Sequence, residues 1–207
     1  MDSNSFDLVE ISDITNDLLL PWLDLYETAF PANERGLISE QLSLLKAKMR
    51  GDGRDVFMLA AVNAQQEPLG IIEYELNEAL SAALLWYNAV NPQYRGQGLG
   101  SAIYRKLISR LDAAGIKTFI FEVELPQEML SDEDKRLAER RIEFYRRLGA
   151  KLLTGISYWQ DVGEHVPPTP MHIMVHSFQP ADTQEIFDLT KQLFGDAIEQ
   201  TGPLALL

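Results

Sequence analysis

The chain has no cysteine, which excludes disulfides, thiolate nucleophiles and cysteine metal sites together. It has no apolar run near the roughly eighteen residues needed to cross a bilayer. Its start, Met1-Asp2-Ser3-Asn4-Ser5, carries neither a basic patch nor a following apolar stretch of signal-peptide length, so a cytoplasmic location is expected. Positive charge is scarce at both ends: no lysine or arginine precedes Arg35, and only Lys191 follows Lys151. A net charge of −13 argues against nucleic acid or an anionic membrane as a partner, because phosphate surfaces reward surplus cations. There are no repeats or low-complexity tracts. At 207 residues, 46% of them hydrophobic, the chain suits one domain over 1–207, with 1–6 flexible and 178–207 a C-terminal helical extension.

What cations there are gather in the middle, around Asn88 to Arg110 and again from Lys135 to Lys151. Within the first stretch Gly96, Gly98 and Gly100 alternate in a turn, where missing Cβ atoms admit positive φ and let an anion approach the main chain. Leu99, Ile103, Leu107 and Leu111 recur every fourth residue and predict a helix beginning near Leu99. Its free N–H groups and positive dipole end face the turn, the physical requirement for holding a pyrophosphate. Two common phosphate motifs do not fit. The spacing is Gly-x-Gly-x-Gly in mid-chain, not the Gly-x-Gly-x-x-Gly of an early dinucleotide-binding strand, and Gly100-Ser101-Ala102 lacks the lysine of a nucleoside-triphosphate loop.

Periodicity orders the rest. Asp7 to Ile11 reads as a strand, followed by a helix with Leu18, Trp22, Leu25, Tyr26 and Ala29 on one face and Pro21 near its start. A second helix comes next, with Ser39 as cap and Leu42, Leu45 and Met49 inward. Val56–Val62, Leu69–Leu76 and Ala82–Val90 read as an antiparallel meander, with Glu73 and Glu75 on one face as solvated residues. Lys117 to Leu125 returns as a strand. Phe119, Phe121 and Val123 share one of its faces, and Ile120, Glu122 and Glu124 the other. An acidic connection over Pro126–Asp134 leads to a helix carrying Leu137, Phe144, Tyr145 and Leu148. Short strands over Lys151–Thr154 and Ser157–Gln160, a loop over Asp161–Pro170, a last strand over Met171–His176 and a helix over Thr183–Phe194 complete the chain. His172 and His176 share a strand face with no third ligand nearby, and no metal is expected.

Arg95-Gly96-Gln97-Gly98-Leu99-Gly100 resembles the Arg/Gln-x-x-Gly-x-Gly/Ala motif of the GNAT superfamily of N-acetyltransferases. Phe144-Tyr145-Arg146-Arg147-Leu148-Gly149-Ala150 resembles the second hallmark of that superfamily. Tyr26-Glu27-Thr28-Ala29-Phe30-Pro31 is similar to a phrase in its first helix. The resemblance covers about Leu8 to His176. It implies an α/β (α+β) fold with a mixed, mostly antiparallel sheet of about six to seven strands, flanked by helices on both faces. It also implies acetyl-CoA as acyl donor, with the main chain of Ala89 and Val90 on the pantetheine arm. Arg95, Gly96, Gln97, Gly98, Leu99, Gly100 and Ser101 would then hold the pyrophosphate. Family members commonly open the helix before the second hallmark with an asparagine; here Ala138, which has no polar side chain, stands near that place.

The implied reaction is acetyl transfer to a primary amine by direct attack in a ternary complex. Tyr145, at the superfamily's tyrosine position, would protonate the departing sulfur. Glu122, in a Phe-Glu-Val setting similar to the Leu-Glu-Val of ribosomal-protein alanine N-acetyltransferases, would accept the amine proton, with burial beside Glu124 raising one pKa and with Glu124 and Glu73 in reserve. A non-catalytic acyl-CoA-binding or regulatory module and a phosphate-binding domain unrelated to coenzyme A stay open. The acceptor is a small-molecule or peptide amine, and the protein a monomer or homodimer.

Overall fold

The computed structural model of the protein describes residues 6–30, 35–161 and 167–207. The chain divides into two compact units, Met1–Glu78 with Ala83–Gly115, and Ala79–Ala82 with Ile116–Leu207.

The first unit contains β1 (Asp7–Ile11), α1 (Leu19–Ala29), α2 (Ile38–Arg50), β2 (Asp55–Val62), β3 (Pro68–Asn77), β4 (Ala82–Val90) and α3 (Leu99–Ala113). Its strands lie in the order β1-β2-β3-β4, and the β1–β2 and β2–β3 pairs are antiparallel. The predicted stripe of α1 is the buried one: Leu18, Trp22, Leu25 and Tyr26 pack on Ile11, Met58, Ala60, Val62 and Ile71. Each such side chain contributes about 1.5–3 kcal/mol by leaving water. Trp22 also satisfies its indole by donating Nε1–H to the Leu59 carbonyl at 3.0 Å. In α3, Leu99, Ile103, Leu107 and Leu111 are all buried, as their spacing predicts.

Salt bridges tie the two longer helices of this unit to β1. Glu10 receives Lys48 of α2 on one oxygen at 3.1 Å and Arg110 of α3 on the other at 2.8 Å. Arg110 also donates to the Tyr74 hydroxyl at 3.1 Å, and Lys106 pairs with Asp7 at 3.0 Å. These mid-chain cations therefore serve the fold.

The second unit contains β5 (Thr118–Glu124), α4 (Asp132–Arg147), β6 (Lys151–Gln160), β7 (Thr169–Ser177), α5 (Thr183–Phe194) and β8 (Ile198–Leu206). The order is β5-β7-β6-β8, with all three pairs antiparallel. Ser131 caps α4, its hydroxyl accepting from the Asp134 N–H at 3.0 Å. Asp132, Glu133 and Asp134 then occupy the first turn, and Arg146 and Arg147 the last, both in the sense the helix dipole favours.

Several expectations need correction. Among the described residues there are eight strands, not six or seven, because β8 follows α5 and pairs with β6; the C-terminal stretch is a helix and a strand. Gly202-Pro203 interrupts the apolar pattern of that strand and conceals it. The two short strands read over 151–160 are one, β6, whose pairing is displaced on both sides, with Gly155 at φ +80 between them. Ser39 is not the cap of α2. Leu37 is, and the Glu40 carboxylate accepts its N–H at 2.8 Å. Met49, read as inward, is 49% exposed. Glu73, read as solvated, is 2% exposed beneath α2. Residues 1–5, and 162–166 of the loop expected over 161–170, lie outside the described residues; Thr169 and Pro170 already belong to β7, and Phe6 is buried.

Candidate active site

In the first unit β4 ends at Val90, and Asn91 anchors the turn that leaves it. The Asn91 N–H donates to the Leu69 carbonyl at 2.9 Å and its Nδ2 to the Pro68 carbonyl at 3.2 Å, while its Oδ1 accepts from the Gln93 N–H at 3.1 Å. The Arg95 side chain folds back, donating Nε–H to the Val90 carbonyl at 3.2 Å. Gly96 and Gly98 then take left-handed φ angles of +76 and +79, conformations that cost other residues energy, and the turn is exposed. Gly100, expected in the turn, is the second residue of α3.

Helix α3 begins with neither a side-chain cap nor an acidic residue in its first turn. Its first main-chain bond runs from the Ala102 N–H to the Gly98 carbonyl at 3.2 Å, so the N–H groups of Leu99, Gly100 and Ser101 precede any intrahelical partner. Glu40 in α2, Ser131 in α4 and Asp182 in α5 supply acidic or hydroxyl groups at that point, and in α1, whose first turn is also free of acid, Asn16 accepts the Leu18 and Leu19 N–H groups. The start of α3 is thus chemically suited to an external anion. Gly70 of β3 brings this apparatus together: a Cβ there would lie 2.7 Å from the Ala89 carbonyl oxygen and 2.9 Å from Ile103 Cδ1. Its absence allows β3, β4 and α3 to approach closely where Ala89 and Val90 lie.

The same unit holds a second polar group. The Gln41 amide, with its nitrogen toward β3, donates to both Glu73 oxygens at 2.7 and 3.3 Å, and its oxygen lies 3.3 Å from the Tyr26 hydroxyl. Burial pushes the Glu73 carboxyl up to about 8, against the opposing effects of Gln41 and the Arg54 charge. Nearby, the Tyr26 and Tyr87 rings meet edge-on at 4.7 Å and their hydroxyls clasp one residue: Tyr26 donates to the Gly36 carbonyl at 3.1 Å, and the Gly36 N–H donates to Tyr87 at 3.2 Å.

In the second unit Tyr145 is 7% exposed, its ring 4.4 Å from Phe121 and 5.0 Å from Phe144. Phe121 points away from its neighbour Glu122 by strand alternation. The two candidate catalytic side chains therefore approach β5 from opposite faces. Glu122 accepts hydrogen bonds on both oxygens, from the Tyr158 hydroxyl and from Gln160 Nε2, both of β6. Its pKa is raised by burial and held back by these two donors. Glu124 has no part in that shift. It is instead paired with Arg141 of α4, which corrects the expectation that the two carboxylates perturb each other. Tyr158 and Gln160 were not singled out from the sequence. Their i, i+2 spacing on a strand places them on one face, and nothing local reveals that this face meets Glu122. His172 and His176 face the Val123 and Phe119 side of β7, and no group of three metal-ligating side chains occurs among the described residues.

Mostly antiparallel strands covered by helices, with a glycine turn feeding an uncapped helix, define an α/β protein. The chain belongs to the acetyltransferase (GNAT) family, which it matches over residues 19–150. Solved structures share the fold. A GNAT-family protein from Bacteroides thetaiotaomicron superposes with a TM-score of 0.69 at 23% identity, over 91% of this chain and 98% of its own. An aminoglycoside 6'-N-acetyltransferase complexed with coenzyme A gives 0.59 at 21%, over 85% and 99%. The ribosomal-protein-S18-alanine N-acetyltransferase from Escherichia coli gives 0.57 at 19%, over 86% and 96%. No curated protein sequence matches the chain. No helix among the described residues is long and apolar enough to cross a membrane.

Proposed function

We propose that the protein is an N-acetyltransferase that moves the acetyl group of acetyl-CoA to a primary amine by direct attack in a ternary complex. The observation that carries this reading is the uncapped, acid-free start of α3 behind the Gly96–Gly98 turn. Family membership and the coenzyme A bound by the aminoglycoside-modifying neighbour support it. Arg95, Gly96, Gln97, Gly98, Leu99, Gly100 and Ser101 hold the pyrophosphate, chiefly through main-chain N–H groups, and Ala89 and Val90 offer main-chain groups to the pantetheine arm. Bound acetyl-CoA supplies the acetyl group as an activated thioester.

The chain's own residues manage the protons. Glu122 takes one from the protonated amine, freeing the lone pair that forms the new C–N bond. As the C–S bond breaks, the Tyr145 hydroxyl donates its proton to the sulfur, and the second proton that leaves the nitrogen as the amide forms restores the phenol. The acceptor is a small-molecule or peptide amine, the protein acts in the cytoplasm as a monomer or homodimer, and no metal takes part. One observation favours a non-catalytic acyl-CoA-binding module: both Glu122 oxygens already accept hydrogen bonds within the fold.

Two measurements separate these readings. Calorimetry should find coenzyme A binding with ATP and NAD failing to compete, and thiol release from acetyl-CoA should require an amine drawn from a panel of polyamines, aminoglycosides and peptides. Tight binding with no release from any amine would establish the module instead.

A further inference from the structure

The carboxylate assigned as base is built into β5, yet the groups that fix it come from β6, on the far side of β7, in a part of the chain past the 19–150 family match. Tyr158 donates to one oxygen and Gln160 to the other, so the carboxylate cannot rotate without losing a partner. Tyr158 is itself immobilised. It is 4% exposed, its ring lies 4.9 Å from Phe194 of α5, and it sits opposite Ile198 of β8. The pairing of β6 is displaced between Leu153 and Trp159 on the β7 side, which takes in Tyr158, and between Thr154 and Ile156 on the β8 side, ahead of it. A carboxylate accepts about four hydrogen bonds, so two donors leave each oxygen one further lone pair for a proton.

We propose that Tyr158 and Gln160 are positioning residues that orient Glu122 to receive the proton of the acceptor amine. The inference rests on the acetyltransfer reading above. In the step concerned, the ammonium N–H bond breaks and an O–H bond forms on Glu122, while Tyr158 keeps its own proton as a donor throughout. Among the described residues, other charged groups stand around the trio. Asp161 follows Gln160 and acts on Tyr158, Glu124 is neutralised by Arg141, and His172, with Arg146 acting on it, lies on the Val123 side of the sheet.

The test compares Tyr158→Phe and Gln160→Leu with the parent protein by two readouts. In the pH profile of turnover, each variant should move the acidic limb upward by about one pH unit, because each removes a donor that favours the ionised carboxyl, with the KM for acetyl-CoA unchanged. In carbon-13 NMR of protein labelled at the glutamate carboxyls, with the Glu122 signal assigned by its loss in Glu122→Gln, the same upward movement should appear without any turnover. Gln160 is only half-buried, so Gln160→Leu keeps the test decisive if Tyr158→Phe unfolds. An active parent whose variants fold but show neither movement overturns the positioning role alone. A parent that binds coenzyme A but acetylates no amine overturns the underlying reading, and this role with it.

Discussion

Glu73 sits on β3 opposite Met58, under α2, where ionisation is expensive. Its folded pKa of about 8 lies above the ordinary 4.5, so the stability it contributes is present in full below about 4.5 and is lost as pH rises through about 8. Glu73→Gln should therefore leave the fold nearly unchanged at pH 5 and stabilise it by about 2–4 kcal/mol at pH 9. Urea unfolding at the two pH values would check this; equal effects at both would show that Glu73 does not titrate in that window. Tyr145→Phe belongs at the same scale. It keeps the ring against Phe121 and Phe144 and removes only the proton donor, so turnover should fall about tenfold or more with coenzyme A affinity intact. Alternation along the strand was enough to place Glu73 and Glu75 on one face. It was blind to what covers that face: Gln41 buries the first, while Glu75 is only partly buried, with Arg54 at 3.1 Å and the Trp86 indole at 3.2 Å.

Among the elements, the junction of β3, β4 and α3 depends on Gly70. Replacement by alanine would drive a methyl group into main chain at Ala89 and a buried side chain at Ile103, neither of which yields easily. Gly70→Ala should cost about 1–3 kcal/mol in thermal unfolding and also weaken coenzyme A binding by calorimetry, since the displaced strand end carries Ala89 and Val90. A loss of stability with unchanged affinity would detach β4 from the cofactor. The glycine turn and α3 were legible because their cues are local: alternating glycines, then leucines and isoleucine at helical spacing. The start of α2 was not, because a leucine at the cap position carries no hydroxyl signal and the capping group is Glu40, three residues on.

For the whole molecule, the C-terminal strand decides how the second unit closes. β8 gives β6 its outer partner, through pairs such as Leu153 with Leu206 and Tyr158 with Ile198. Ending the chain at Gly195 should expose the edge of β6, lower the unfolding temperature by roughly 10 °C and promote self-association. Scanning calorimetry and size-exclusion chromatography would register both, and an unaltered transition would make β8 dispensable. Strand number escaped the sequence because an edge strand interrupted by Gly202-Pro203 has neither clean alternation nor an unbroken apolar run. The long-range meeting of Glu122 with β6 escaped for another reason: it arises from strand order, which periodicity does not encode. Glu10 carries a different lesson, since it serves Lys48 and Arg110 at once. Either cation can be deleted while the other still holds the carboxylate, so a scan of single substitutions would score both as tolerant. Only their combined loss would uncover the dependence, as epistasis between helices that look independent one change at a time.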